Sequence, residues 1–375
     1  MKIFAPKENA KQETRAALDP AAVKKLASLG ADVIVESGIG LRSDSLDKDY
    51  QDAGATISTD RDGDMGKADI ICRVSKPSHE DVDKLKKGAI HISFLDPFNE
   101  KPLIDKMASA NVTAISLEMV PRTTLAQKMD AISSQANLAG YVSVMQAANR
   151  INAILPMMMT PAGTLSPAKV FVIGVGVAGL QAIATAKRLG ARVTAFDTRV
   201  EGLEQAESLG AKALRIDLGE TGATDQGYAK ELTPEQLEKQ KAEQGKVCAQ
   251  SDIVITTAKL FGRKAPILIE KKVIDQMKAG SIIVDLAADT GGNVEGTILG
   301  EEVVTDNGVV IIGTGNFEGH VSKHASQMLG SNFANMIEHF WDKEEKTLPI
   351  NFDDEIQKGC IITHDGSIVH ERFKA

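Results

Sequence analysis

The stretch that decides the fold is KVFVIGVGVAGLQAIATAKRLGARVTAFD, residues 169–197. Its apolar beginning predicts a buried strand over Lys169–Ile173, and the alanine-rich stretch after the glycines predicts a helix. Gly174, Gly176 and Gly179 lie between them with the spacing G-x-G-x-x-G. The first glycine permits a tight turn, the second lets the backbone approach a pyrophosphate, and the third lets the helix pack closely on the strand. The stretch therefore predicts a strand–turn–helix unit that binds a dinucleotide.

An acidic residue completes this pattern at the end of the next predicted strand, Arg192–Phe196. Asp197 stands 18 residues after Gly179. A carboxylate at this place accepts hydrogen bonds from the adenosine ribose and repels a 2′-phosphate, which favours NAD(H) over NADP(H). Thr198 and Arg199 follow directly, and an arginine nearby can accommodate a 2′-phosphate. The residues alone leave open NADP(H), another nucleotide, or a glycine turn without a ligand.

Composition excludes several other classes of function. The 375 residues include 43 Lys and Arg against 51 Asp and Glu, and aromatic residues are only 4%. This balance supplies neither the positive charge nor the stacking surfaces that nucleic-acid binding requires. Three widely spaced cysteines without a C-x-x-C predict no disulfide framework and no metal site. The sequence has no signal peptide and no apolar run long enough to span a membrane, so we expect no membrane insertion.

Short apolar strands alternate with helices in both halves of the chain. Such alternation is typical of parallel strands joined by right-handed crossovers, and the length favours two domains. We predict an α/β fold with two Rossmann-like, doubly wound parallel-sheet domains joined by long helices, one of them over Leu125–Ile151. A predicted hairpin near the C-terminus packs back on the first domain. The first domain is therefore discontinuous, 1–135 plus 325–375, and the NAD(H)-binding domain is 136–324.

Three polar residues lie at the entry to the predicted linking helix. Arg122 precedes Gln127 and Asp130, whose i, i+3 spacing places them on one helix face. A polar face there could line a cleft between two lobes. The alternative is the solvated start of a helix, with Arg122 as an ordinary surface charge.

Beyond these motifs, the whole chain resembles the NAD(H)-binding domain I of proton-translocating NAD(P)+ transhydrogenases, in the form of a separate alpha subunit. The matching motifs are Pro6–Glu8 with Arg15, Met119–Arg122, Ala126–Asp130, Ser133–Tyr141, Pro156–Thr160, Gly174–Gly190, Gly227–Glu231, Asp285–Ala287, Cys360 and Asp365–Gly366. This set is much more specific than the glycine spacing alone.

The resemblance implies roles for individual residues. Arg122, Gln127 and Asp130 form a catalytic cluster beside the nicotinamide, and Gln127 reaches toward a second cofactor. Tyr228 lies in a loop that closes over the nucleotide. The residues expected to bind the cofactor are Arg122, Thr123, Thr124, Gln127, Ser133, Ser134, Gly174, Val175, Gly176, Val177, Gly179, Asp197, Thr198, Arg199, Gly227, Tyr228, Thr257 and Ala258.

Alanine dehydrogenases share the fold and many motifs, and are the alternative function. In that family a lysine and a histidine hold and protonate the keto acid, and their positions here correspond to Ser75 and Phe94. Lys76 and His91 lie one and three residues away, a shift that reverses the face of a strand. Arg15, which engages the substrate carboxylate in that family, is retained. Without the acid and base, amination of a keto acid lacks its proton relay.

The transhydrogenase resemblance also implies partners. NADH bound here passes hydride directly to NADP+ held by a separate NADP(H)-binding beta subunit, and the transfer is coupled to proton translocation. A small membrane alpha subunit completes the assembly. We expect a homodimer with a segment swapped near the second lobe. Because the sequence ends at Ala375 without membrane helices, we expect a cytoplasmic protein, peripheral on the cytoplasmic face of the inner membrane.

Overall fold

Two mostly parallel β-sheets organise the chain in the computed structural model, which describes residues 1–219 and 232–374. The chain divides into a first unit, Met1–Gln135 with Glu318–Ala375, and a second unit, Ala136–Phe317. The return to the first domain that we predict at residue 325 falls inside a helix, Ser322–Phe340. Within the described residues, no helix is both long and apolar enough to cross a membrane.

The strands and helices are numbered along the chain. The strands are β1 (Lys2–Ala5), β2 (Asp32–Glu36), β3 (Thr56–Ser58), β4 (Ile70–Cys72), β5 (Ile90–Ser93), β6 (Thr113–Ser116), β7 (Met158–Thr160), β8 (Gly163–Leu165), β9 (Lys169–Ile173), β10 (Arg192–Phe196), β11 (Lys212–Ala213), β12 (Ile253–Thr256), β13 (Ile282–Asp285), β14 (Glu302–Val304), β15 (Val310–Ile312), β16 (Ile361–His364) and β17 (Ser367–Ile368). The helices are α1 (Pro20–Ser28), α2 (Asp47–Asp52), α3 (Arg61–Met65), α4 (His79–Lys84), α5 (Lys101–Ser109), α6 (Ala131–Arg150), α7 (Val177–Arg188), α8 (Val200–Ser208), α9 (Pro234–Cys248), α10 (Lys271–Ile274), α11 (Ser322–Phe340) and α12 (Glu355–Cys360).

The sheet of the first unit has the order β17-β16-β6-β5-β4-β1-β2-β3. Strands β6 to β3 pair in parallel, whereas β16 pairs antiparallel with both β6 and β17. The predicted C-terminal hairpin therefore forms and extends the sheet built by the N-terminal residues. Helix α1 shows how local sequence sets an element: Asp19 accepts a hydrogen bond from the amide of Ala22, Pro20 takes the first helical position, and Gly30 follows the end with φ of +86°.

The sheet of the second unit has the order β11-β10-β9-β12-β13-β15-β14, parallel except for β14 against β15. The order reverses direction between β9 and β12, the place where α/β sheets bind ligands beyond the carboxyl ends of their strands. Phe171, Val254 and Ile283 on the three central strands are fully buried, as expected of parallel strands that are apolar throughout. The predicted α/β class, with two parallel-dominated Rossmann-like units, is confirmed.

The predicted linking helix differs from the structure at its beginning. Helix α6 starts at Ala131, because residues 125–130 form turns and a short 3₁₀ segment, Gln127–Met129. The helix continues through Gly140, where we expected a possible interruption. A methyl group at Gly140 would overlap the carbonyl oxygen of Ala178, so this glycine permits close packing between α6 and the start of α7.

Candidate nucleotide-binding site

The three fingerprint glycines of the second unit occupy three different environments. Gly174 has φ of +93°, and a Cβ there would stand 2.5 Å from Oγ1 of Thr257. A Cβ on Gly179 would overlap the carbonyl oxygen of Gly174. Gly176 has an ordinary φ of −86°, and among the described residues no heavy atom lies within 4 Å of the place of its missing Cβ. The protein itself requires glycine at 174 and 179, whereas the space at 176 fits an approaching phosphate.

Helix α7 begins directly after this turn and presents its amino end. Its N-cap residue is Gly176, which has no side chain to bind the amides of the first turn, and the amide of Leu180 starts the helical ladder on the Gly176 carbonyl at 2.9 Å. Unpaired amides and the helix dipole favour an anion at such an end. The residues present therefore fit the pyrophosphate of a dinucleotide.

Asp197 follows β10 and faces the same turn. Its carboxylate is 7% exposed and accepts a hydrogen bond from the amide of Val175 at 2.7 Å. Arg199 donates to it from the backbone amide at 2.8 Å, from Nε at 3.0 Å and from Nη2 at 2.9 Å. The hydrogen bond to Asp197 raises the pKa of Arg199, although partial burial opposes that shift. The acidic residue that we predicted from spacing thus lies beside the glycine turn, held in an ion pair.

Thr257 and Ala258 follow β12 and contact the protein in ways that the resemblance did not suggest. The Thr257 hydroxyl donates to the carbonyl of Gly174 at 2.9 Å and so supports the glycine turn. Asn293 binds the Ala258 backbone on both sides, accepting from its amide at 3.0 Å and donating to its carbonyl at 2.9 Å. Both residues therefore lie at the expected edge of the sheet, where the structure gives them supporting contacts.

Asp285 and Asn293 belong to this region but were not among the predicted site residues. Asp285 is fully buried at the end of β13 and accepts hydrogen bonds from the amide of Asn293 at 2.8 Å and from Oγ1 of Thr297 at 2.9 Å. Burial raises the pKa of Asp285 against these hydrogen bonds. An acidic residue that ends an apolar strand is the same signal that revealed Asp197, and it could have identified Asp285.

The second set of predicted residues lies on the loop of residues 121–130 in the first unit. Arg122, Thr123, Thr124 and Gln127 are exposed. The expected helix face shared by Gln127 and Asp130 is wrong, since α6 begins only at Ala131. The two residues stay neighbours across one turn, because the Asp130 amide donates to the Gln127 carbonyl at 3.3 Å.

Asp130 ends this loop by capping α6. Its carboxylate accepts from the amide of Ser133 at 2.8 Å and from the Ser133 hydroxyl at 2.5 Å. An aspartate whose side chain binds the third amide of the following turn is an N-cap, and N-caps have non-helical backbone. This capping is the physical reason why the helix does not extend back to Leu125.

Helix α11 holds the same loop from its other side. Asn332 and Asn335 each donate to the carbonyl of Lys128 at 3.1 Å, and the Ser134 hydroxyl donates to Oδ1 of Asn332 at 2.7 Å. The side chains of Ser133 and Ser134 are therefore both engaged within the first unit. Asn332 is distant in sequence from the loop, and no local pattern predicts its role.

The predicted residues thus fall into two groups, one in each unit. The group of the second unit surrounds the glycine turn and includes Val175, Val177, the half-buried Thr198 and Thr257. The group of the first unit lies between Arg122 and Ser134. Gly227 and Tyr228 lie outside the described residues.

The substitutes for an alanine dehydrogenase site do not occupy suitable environments. Lys76, beside Ser75, pairs with Glu100 at 2.6 Å on the surface. His91 is fully buried on β5, three residues before Phe94, and burial together with the charge of Arg73 lowers its pKa to about 3. A neutral buried imidazole and a paired surface ammonium supply neither the acid nor the base of a keto-acid site.

Arg15, the retained residue of that site, is committed to carboxylates of its own unit. It donates to Glu13 at 2.7 and 2.8 Å, to Glu318 at 2.8 Å and to Gln135 at 3.1 Å. Burial alone would lower the pKa of Arg15, but the Glu13 hydrogen bonds and the Glu318 charge raise it above its ordinary value. Two carboxylates already neutralise this guanidinium, so a substrate carboxylate would meet excess negative charge.

The strand order, the glycine turn and the acidic residue after β10 define a nucleotide-binding oxidoreductase of the dehydrogenase class. The chain belongs to the alanine dehydrogenase/PNT family: the model of the alanine dehydrogenase/PNT N-terminal domain matches residues 4–139, and the model of the C-terminal domain matches residues 143–371.

Known relatives fall into two groups. The chain is 42% identical to the NAD(P) transhydrogenase subunit alpha of Rhodospirillum rubrum, across 99% of this chain and 98% of that one. The crystal structure of transhydrogenase from Sinorhizobium meliloti matches with a TM-score of 0.89 at 42% identity, covering 98% of this chain and 100% of that one. An alanine dehydrogenase of Mycolicibacterium smegmatis is 27% identical across 99% of this chain and 95% of that one. The chain is therefore a homologue of transhydrogenase alpha subunits, and the predicted resemblance is confirmed.

Proposed function

We propose that the chain is the NAD(H)-binding component of a proton-translocating transhydrogenase. NADH bound here exchanges hydride directly with NADP+ on a partner subunit, and membrane subunits couple the transfer to proton movement. The observation that carries the proposal is the open space at Gly176, at the amino end of α7 and beside Asp197. When bound, the nicotinamide supplies the hydride chemistry.

The chain's own residues then have to bind and orient, not to exchange protons with a substrate. This accords with Ser75 and Phe94 at the positions of the missing acid and base. It also accords with Arg15, whose charge Glu13 and Glu318 neutralise. A keto acid would find no free cation there and no proton donor.

We assign roles to the two groups of residues separately. In the second unit, the turn from Gly174 to Gly179 holds the pyrophosphate, and Asp197, Thr198 and Arg199 lie beside the adenosine ribose. Thr257 and Ala258 support that turn. In the first unit, Arg122, Thr123, Thr124, Gln127, Ser133 and Ser134 serve the nicotinamide end, and Asp130 fixes the geometry of their loop. Gly227 and Tyr228 complete the nucleotide site.

The partners follow from the relatives, which are named as alpha subunits. We propose an NADP(H)-binding beta subunit and a small membrane alpha subunit as partners. We further propose that two copies of this chain form a homodimer, docked peripherally on the cytoplasmic face of the inner membrane. Recognition of NAD(H) here and of NADP(H) on the partner keeps the two nucleotides on opposite sides of the transfer.

The test uses the purified full chain. We expect saturable NADH binding by nucleotide fluorescence, and almost no NADH-dependent amination of pyruvate. Adding an NADP(H)-binding partner domain should start transfer from NADH to an NADP analogue. Robust amination by the chain alone would instead establish an alanine dehydrogenase, and failure to bind NADH would refute both functions.

A further inference from the structure

The ion pair between Asp197 and Arg199 uses the whole accepting capacity of the carboxylate. Oδ1 accepts from the amide and Nε of Arg199, and Oδ2 accepts from the amide of Val175 and Nη2 of Arg199. An ionised carboxylate offers about four lone-pair sites. A ribose hydroxyl therefore reaches Asp197 only where an Arg199 N–H withdraws.

The pair also places a positive charge against the glycine turn. Nη2 of Arg199 donates to the carbonyl of Val175 at 3.1 Å, so the guanidinium is fixed to the backbone between Gly174 and Gly176. The pair is neutral as a unit. Asp197 consequently does not present the full negative charge that a lone carboxylate would direct at a 2′-phosphate.

We propose that Arg199 is a specificity-determining residue, which sets how strongly the site rejects a 2′-phosphate by cancelling the charge of Asp197; the proposal rests on the NAD(H)-binding function proposed above. Two backbone amides, those of Val175 and of residue 199, keep Asp197 in place when the guanidinium is removed. Removing the arginine exposes the carboxylate charge, and removing the aspartate leaves a cation for the phosphate. The two changes thus shift nucleotide preference in opposite directions.

The experiment measures the dissociation constants of NADH and NADPH with the full chain and four variants of the pair. Arg199→Met should raise the ratio of Kd for NADPH to Kd for NADH about tenfold, with NADH within about threefold of the parent. A tenfold change corresponds to about 1.4 kcal/mol, which one uncompensated charge near the 2′ position can supply. Asp197→Asn should lower the ratio about tenfold, and the double variant should return close to the parent. Arg199→Gln removes the charge but keeps polar donors, and should repeat the effect of Arg199→Met if that variant folds poorly.

Two control variants separate the pair from general electrostatics. Arg188→Met removes one positive charge from the last residue of α7, about 16 Å from the turn by helix geometry. Glu201→Gln makes the same charge change as Asp197→Asn in the first turn of α8. Both should leave the ratio within about threefold of the parent.

Two outcomes would refute the proposal: a ratio within twofold of the parent for both Arg199 variants, or a ratio that falls, which would mean that the arginine binds the 2′-phosphate. A parent protein that binds neither nucleotide would refute the proposed function instead.

Discussion

The glycine turn of the second unit and the loop of residues 121–130 in the first unit differ in what fixes their residues. In the turn, a positive φ at Gly174 and the contact between Gly179 and the Gly174 carbonyl require those glycines whatever the ligand. In the loop, the backbone is held by Asp130 and by asparagines of α11, while Arg122 and Gln127 extend outward. Function is thus written into backbone geometry in one region and into exposed side chains in the other.

This difference explains how far each region could be predicted from the sequence. Backbone requirements leave a fixed spacing of glycines, so the boundaries of β9 and β10 and the place of Asp197 were predicted from local pattern. The loop is held by Asn332, about 200 residues further along, and no local pattern reports such a contact. Its only local signal is the N-cap aspartate Asp130, which the helical composition of the neighbouring residues obscured.

The ion pairs show a second limit of sequence-based prediction. The spacing of Asp197 and Arg199 indicated two charged residues near a ribose, but did not show that they bind each other. The same holds for Arg15, whose partner Glu318 lies beyond the whole second unit in sequence. Tertiary pairing of charges, unlike strand periodicity, has no signature in a short window.

The largest effect should come from breaking the backbone contact in the turn. Gly179→Ala places a methyl group on the Gly174 carbonyl oxygen, where a backbone atom cannot move aside cheaply. We expect the free energy of unfolding to fall by about 3 kcal/mol, at the upper end of overpacking costs, and NADH binding to be lost. Urea unfolding measures the first change. Wild-type stability would mean that α7 can shift and that the third glycine is not required for packing.

The corresponding change in the loop should affect rate rather than stability. Gln127→Asn keeps the amide but shortens an exposed side chain by one methylene, moving the amide by roughly 1 Å, and such a displacement can cost about 100-fold in rate. We expect hydride transfer in the reconstituted complex to slow by that order, with NADH affinity within a few fold. Stopped-flow transfer and equilibrium titration measure the two quantities. Equal losses in both would make Gln127 a binding residue only, and no change would make it an ordinary surface residue.

Gly176→Ala sharpens the comparison within the turn itself. Because the space at this position is open and φ is ordinary, the variant should fold with an unfolding free energy within about 1 kcal/mol of the parent. A methyl group in the path of a phosphate should weaken NADH binding at least tenfold, about 1.4 kcal/mol. The pair of variants therefore separates stability at 179 from binding at 176. Unchanged affinity would show that the nucleotide does not approach this face of the turn.

The smallest effect concerns the contact that ends the loop. Both Asp130 oxygens bind Ser133, and replacing an N-cap by alanine typically costs about 1 kcal/mol. Asp130→Ala should therefore lower the unfolding free energy by about that amount, whereas Asp130→Ser, which keeps an acceptor at the cap, should recover most of it. Asp105→Ala, which removes an exposed aspartate paired with Lys101 on α5, is the matched control and should cost less than about 0.5 kcal/mol.

The serine variant also decides what the Asp130 carboxylate does in the loop. If its work is to fix the first turn of α6, Asp130→Ser restores stability and hydride transfer together, because the backbone that carries Gln127 is held again. If the negative charge itself acts on the nicotinamide end, stability returns in Asp130→Ser while transfer stays slow. The contacts to Ser133 favour the first result, since they occupy both oxygens of the carboxylate. Urea unfolding and transfer rates of the same three proteins distinguish the two, and slow transfer in a stable Asp130→Ser variant would place Asp130 with Gln127 among residues that act through an exposed group.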